Sequence, residues 1–215
     1  MTGGIATIGS RSENRGGVSG LQTAASSGVD LLSHLVNGPQ LSPNDFAVLG
    51  LLAEAPTHGF AISKELGPHG SVGRILTVHR PLTYRALGRL VELGFASPMQ
   101  TEPGDAGPQR VIHRITPTGR RRLNRWLREP VGHIRDMRIQ FQLKLVLLHR
   151  SATSPLELVR AQRRVLQPTL SALDNPAGNA TDDLELWRQH NAAAAASYLD
   201  HLEARYNRSC SLCSD

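Results

Sequence analysis

The chain has 215 residues, 40% apolar and 20% charged, enough for one large or two small domains with a real core. It lacks the run of roughly 18 apolar residues that a membrane-spanning helix needs, and its opening, MTGGIATIGSRSENRGG, has no apolar h-region or cleavage site, so a cytoplasmic protein without a membrane partner is expected. Cys210 and Cys213 alone cannot staple a domain, which agrees with a reducing compartment. The formal charge is +6, and Lys64 and Lys144 are the only lysines among the 24 cations. The excess is concentrated in residues 41–130, with 12 basic and 7 acidic residues, as a polyanion-binding module would place it. A solvated basic face without a partner is the competing explanation.

Residues 1–40 are rich in Gly, Ser and Thr without a sustained period and read as a disordered arm. A helix then starts at Ser42, a good N-cap followed by Pro43 and Asp45, with Val48, Leu51, Leu52 and Ala55 as its apolar stripe. Pro56 stops it. Thr57 or His58 caps a short second helix bearing Phe60, Ile62 and Leu66. The stretch Gly67–Gly73 is glycine-rich but lies between helices, so it reads as a connector and not a phosphate loop.

A third helix is expected from Arg80 to Leu93, with Leu87, Leu90 and Leu93 inward and Gly94 as the stop. Its other face carries Arg80, Tyr84, Arg85 and Arg89. A hairpin follows. Phe95–Thr101 and Gln109–Thr116 read as strands around a tip of turn residues, with Val111, His113 and Ile115 on one face and Arg110, Ile112 and Arg114 on the other. Thr116-Pro117 caps a fourth helix with Leu123, Trp126 and Leu127; its arginines 120–122, 125 and 128 read as a solvated face. Helices around a hairpin, with a basic third helix, are the order of a winged helix-turn-helix, whose second motif helix enters the DNA major groove. Arg80, Arg85 and Arg89 are the candidate DNA contacts on that helix. Gln109 and Arg110 are candidates on the wing.

Three helical patterns fill the rest. Residues 135–149 carry Ile139, Leu143, Val146 and Leu147. Residues 155–173 place Leu156, Val159, Arg163, Leu166, Leu170 and Leu173 at alternating steps of three and four, a helix–helix seam, with Pro168 expected to kink or restart the helix. Residues 182–206 align Leu184, Trp187, Asn191, Ala194, Tyr198 and Leu202. Intrachain packing and dimerisation both explain these stripes. The dimerisation reading uses Leu156, Val159, Leu166, Leu184, Trp187, Ala194, Tyr198 and Leu202. Trp187 is also the candidate for a small-molecule ligand pocket at such an interface.

The segment Leu41–Leu52 (LSPNDFAVLGLL) with Pro56–Phe60 (PTHGF), the run Tyr84–Leu90 (YRALGRL) before Gly94, and Ile112–Gly119 (IHRITPTG) with Trp126 resemble successive motifs of the PadR family of transcriptional regulators. Weaker similarity runs through Leu143–Leu145, where family members with a long C-terminal helical domain begin it. The resemblance implies a homodimeric, DNA-binding repressor of an inverted-repeat operator, released by a small molecule, and it favours Tyr84 as a DNA phosphate contact. The sequence departs from the family at Leu82 and Thr83, where an apolar and a polar position are exchanged, at His113, which replaces an aromatic, and in its longer arm.

The expected architecture is therefore mainly α: an arm (1–40), a winged helix-turn-helix with a two-stranded wing (41–130), a C-terminal helical dimerisation domain (131–208) and a flexible tail (209–215). The alternative is a winged-helix module that binds protein and not specific DNA; the charge on the third helix argues against it, because interface cores exclude dense like charge. No catalytic constellation, metal-ligand spacing or cofactor motif stands out: no GxSxG, Walker A, GxGxxG or HExxH occurs, and the Cys210/Cys213 pair is a lone CxxC. No enzyme, metal or cofactor is expected.

Overall fold

The computed structural model describes residues 39–102, 109–173 and 182–211, apart from the side chains of 102, 172, 173 and 209–211. Nearly all of the expected arm, the wing tip, Cys213 and the Cys210 side chain lie outside the described residues.

Helix α1, Pro43–Glu54, starts at the expected cap. The Asp45 backbone N–H donates to Ser42 Oγ at 3.3 Å, and the Ser42 N–H donates to Asp45 Oδ2 at 2.8 Å. That reciprocal pair satisfies two donors a helix start would otherwise leave open. The helix is buried almost all round from Asp45 to Leu52, because other elements cover it on several sides. These are helix α3 (Arg80–Glu92), helix α4 (Pro117–Arg128), helix α5 (Gln140–Arg150) and strand β3 (Arg110–Ile115).

Helix α2, Gly59–Glu65, is capped by His58, whose Nδ1 accepts the Ala61 N–H at 3.1 Å. Helix α3 ends at Leu93, and Gly94 takes φ +71°, a left-handed conformation that glycine adopts without a Cβ penalty. Thr116 caps α4, its Oγ1 accepting the Gly119 N–H at 3.0 Å.

The wing consists of β2 (Ala96–Glu102) and β3, paired antiparallel from Ala96↔Ile115 to Glu102↔Arg110, with an irregularity between Pro98 and Gln100. A third short strand, β1 (Thr57–His58), pairs with β3 through Thr57↔His113 and His58↔Ile112, giving the order β1-β3-β2. Two residues carry too little pattern to be read as a strand; their pairing is a tertiary event. On β3 it is Ile112 that is buried, while Val111 is exposed.

The C-terminal helices are α5, α6 (Leu156–Leu173) and α7 (Asp183–Ser211). The stretch Ile134–Arg138, which overlaps the expected start of the first of them at residue 135, is a 3-10 turn instead. Helix α6 runs through Pro168 without restarting. The residue is exposed, so water can satisfy the carbonyl that the missing N–H leaves open. Helices α6 and α7 pack antiparallel. Arg160 reaches Glu203 and Asn207, and Arg163 reaches Asp200 and Glu203. Val159, Leu166, Leu199 and Leu202 lie in the core.

Buried polar contacts hold this helical layer together and tie it to the winged module. The fully buried Gln162 donates to the Val131 carbonyl at 2.8 Å and accepts the Val131 N–H at 2.7 Å. Phe46 and Trp126 stack with ring centroids 4.1 Å apart and planes 6° from parallel. Arg122 lies over Phe46 at 5.0 Å and Lys144 over Trp126 at 4.6 Å. The Lys144 ammonium is 2% exposed and donates to the Glu129 carbonyl. Burial pulls its pKa from 10.5 down to about 8, against the opposing pull of Glu129 and with a smaller contribution from Arg122. At the end of α5, Arg150 chelates the Glu54 carboxylate at 2.6 and 2.7 Å and also bonds Glu65 and Ser71.

Candidate nucleic-acid interface

The expected recognition helix α3 keeps the apolar register read from the sequence. Ala86, Leu87 and Leu90 are buried, and Arg80, Tyr84, Arg85 and Arg89 are on the outer side. The exchanged pair shows the same register: Leu82 is 42% exposed, and Thr83 is fully buried with its hydroxyl unpartnered among the described residues. The helix orientation is thus set by the stripe as a whole. One hydroxyl is carried inward at a cost of about 1–3 kcal/mol.

A groove of about 540 Å³ runs between α3, the start of α2 and β3. Four of the six expected DNA contacts line it: Arg80, Tyr84, Gln109 and Arg110. Arg85 is exposed on the same helix but outside the groove. Arg89 reaches back to Asp45 Oδ2 at 3.4 Å, tying α3 to the cap of α1.

Sequence reasoning missed five side chains of this groove, His58, Phe60, Leu87, Val111 and His113. Phe60 is 48% exposed and faces the groove, while Ile62 and Leu66 of the same segment are buried. A seven-residue helix is too short for periodicity to decide that. The Arg80 guanidinium lies 5.3 Å from the Phe60 ring centroid and 5.7 Å from that of Tyr84. Tyr84 in turn packs against the start of α2, where a Cβ on Gly59 would come within 2.8 Å of its ring. His113 Nδ1 is 3.1 Å from the Val111 carbonyl oxygen. Burial lowers the His113 pKa and outweighs that hydrogen bond, which favours the neutral ring.

The expected dimerisation residues fall into two groups. Val159, Leu166 and Leu202 are buried within the chain, and Leu156 and Tyr198 are half-buried, with the Tyr198 hydroxyl donating to Gln142 at 3.0 Å. Leu184, Trp187 and Ala194 are exposed on α7, Trp187 at 61%. Among the described residues, no helix is long and apolar enough to cross a membrane.

No curated protein matches the chain. Among solved structures, a crystal structure of Bacillus subtilis PadR in complex with operator DNA aligns at 19% identity with a TM-score of 0.39, covering 75% of this chain and 97% of that one. Residues 48–125, the helix-turn-helix and wing built above, match the transcriptional regulator PadR-like family.

Proposed function

We propose that the chain is a DNA-binding transcriptional regulator that acts as a homodimeric repressor. The observation that carries this is the groove between α3 and the wing, where Arg80, Arg110, Gln109 and Tyr84 converge beside an exposed Arg85. A helix carrying cations on its outer face fits the major groove. A neighbouring strand with an arginine fits the flanking phosphates. The family match over residues 48–125 supports the same reading. In it, residues 41–130 bind DNA and residues 131–208 hold two copies together, with the exposed Leu184, Trp187 and Ala194 forming the contact. A bound dimer blocks a promoter. A signal, taken as a small molecule held near Trp187, releases it by shifting the dimer away from the half-site spacing.

The test is selection of DNA fragments by the purified protein, then footprinting of the best fragment across a salt series. A protected inverted repeat whose affinity falls steeply with salt is expected. Weak, sequence-independent retention would overturn the reading in favour of a protein partner. Mass measurement in solution checks the dimer, with Trp187→Asp expected to shift it toward monomer.

A further inference from the structure

We propose that Phe60 is a positioning residue for sequence reading: with Tyr84 it forms an aromatic cradle that holds Arg80 as the guanine-reading side chain of α3. The inference rests on the DNA-binding reading above and adds a role for a residue outside the recognition helix.

Arg80 is the first residue of α3, and the first turn of a recognition helix reaches base edges. A free arginine there carries a large rotamer entropy, which it loses on contacting a base. Here the guanidinium already lies over two rings, at 5.3 Å from Phe60 and 5.7 Å from Tyr84. Ring faces attract the cation but offer no strong acceptor, so the N–H groups in the guanidinium plane stay free for the O6 and N7 of guanine.

The cradle is itself fixed. Tyr84 is confined by its close approach to Gly59, and Phe60 follows on the same short helix, with its ring 6.3 Å from that of His58. The other two arginines of the helix lack this arrangement. Arg85 lies outside the groove, and Arg89 engages Asp45. A phenylalanine 48% exposed beside a cationic groove has a physical reason in this role that core packing does not give it.

The experiment is base-by-base DNA selection by the full chain and by Arg80→Lys, Phe60→Ala and Phe60→Tyr, with affinity for random DNA measured across salt as a control. Arg80→Lys is expected to lower the preference for guanine at one position of each half-site by roughly 5- to 150-fold. Phe60→Ala is expected to lower preference at that same position by about two- to fivefold, and Phe60→Tyr to keep it. In Phe60→Ala the affinity for random DNA should fall less than the affinity for the selected operator, because phosphate contacts dominate the non-specific term. The inference is overturned if Phe60→Ala leaves the preference intact, if it weakens random and selected DNA alike, or if it and Arg80→Lys act at different positions. In those cases DNA binding itself stands. If the wild-type chain selects no sequence, both readings fall.

Discussion

The groove face and the C-terminal helical layer treat the same kind of side chain in opposite ways. In the helical layer three arginines are neutralised by neighbours: Arg160 and Arg163 by carboxylates of α7, Arg150 by Glu54 and Glu65. On the face that carries the groove, no carboxylate among the described residues pairs with Arg80, Arg85 or Arg110. Arg80 is instead held by rings, which orient a cation without neutralising it. Paired cations hold elements together and leave little net field, while unpaired ones on one face attract a polyanion. The distribution of carboxylates thus distinguishes the two regions more clearly than the distribution of arginines, which both contain.

Four substitutions and one pH series test that contrast, and the largest effect is expected at Lys144. Its pKa is lowered from 10.5 to about 8, chiefly by burial. Between those values the unfolded chain binds more protons than the folded one, so the unfolding free energy should rise with pH across that window, by about 3 kcal/mol from this group. Below about pH 8 the cost of the buried charge is constant. Denaturant titrations from pH 7 to 10.5 should show this rise in the wild-type chain and lose it in Lys144→Met; equal slopes in both would remove Lys144 as its source.

Gln162→Ala should destabilise the fold by about 2–3 kcal/mol, because it leaves a buried Val131 N–H and carbonyl without partners. Thermal unfolding reads this directly. Arg85→Ala should leave stability unchanged and weaken binding to a selected operator by about 1–3 kcal/mol. An unchanged footprint and affinity would take Arg85 out of the interface.

Thr83→Val replaces a buried, unpartnered hydroxyl with a methyl group and should stabilise the fold by about 1 kcal/mol. Arg160→Ala, on the paired face, should cost less than about 1 kcal/mol, since Arg160 and its partners are partly exposed. A large effect on DNA binding from Arg160→Ala would blur the contrast between the two faces.

Local chemistry is what the sequence makes legible. Ser42 and Asp45 announce the start of α1 because a capping box needs residues only three apart. Gly94 announces the end of α3 because a left-handed turn selects glycine. The apolar steps of α3 place Arg80, Tyr84 and Arg85 outward even where Thr83 breaks the pattern. Contacts between distant segments carry no such signal. Strand β1 exists because β3 offers it a partner. Lys144 becomes a buried, weakly basic amine because Trp126 and the Glu129 carbonyl meet it from another helix. Phe60 belongs to the groove because α2 and α3 meet at that angle.

The sequence by itself thus determined the helices of residues 41–130, their ends, the hairpin and the basic outer face of α3, since each depends on residues a few positions apart. The tertiary structure decided which cations are neutralised, which apolar residues stay exposed on α7 and which aromatic rings hold Arg80. Those outcomes depend on distances between segments dozens of residues apart, and only packing sets such distances.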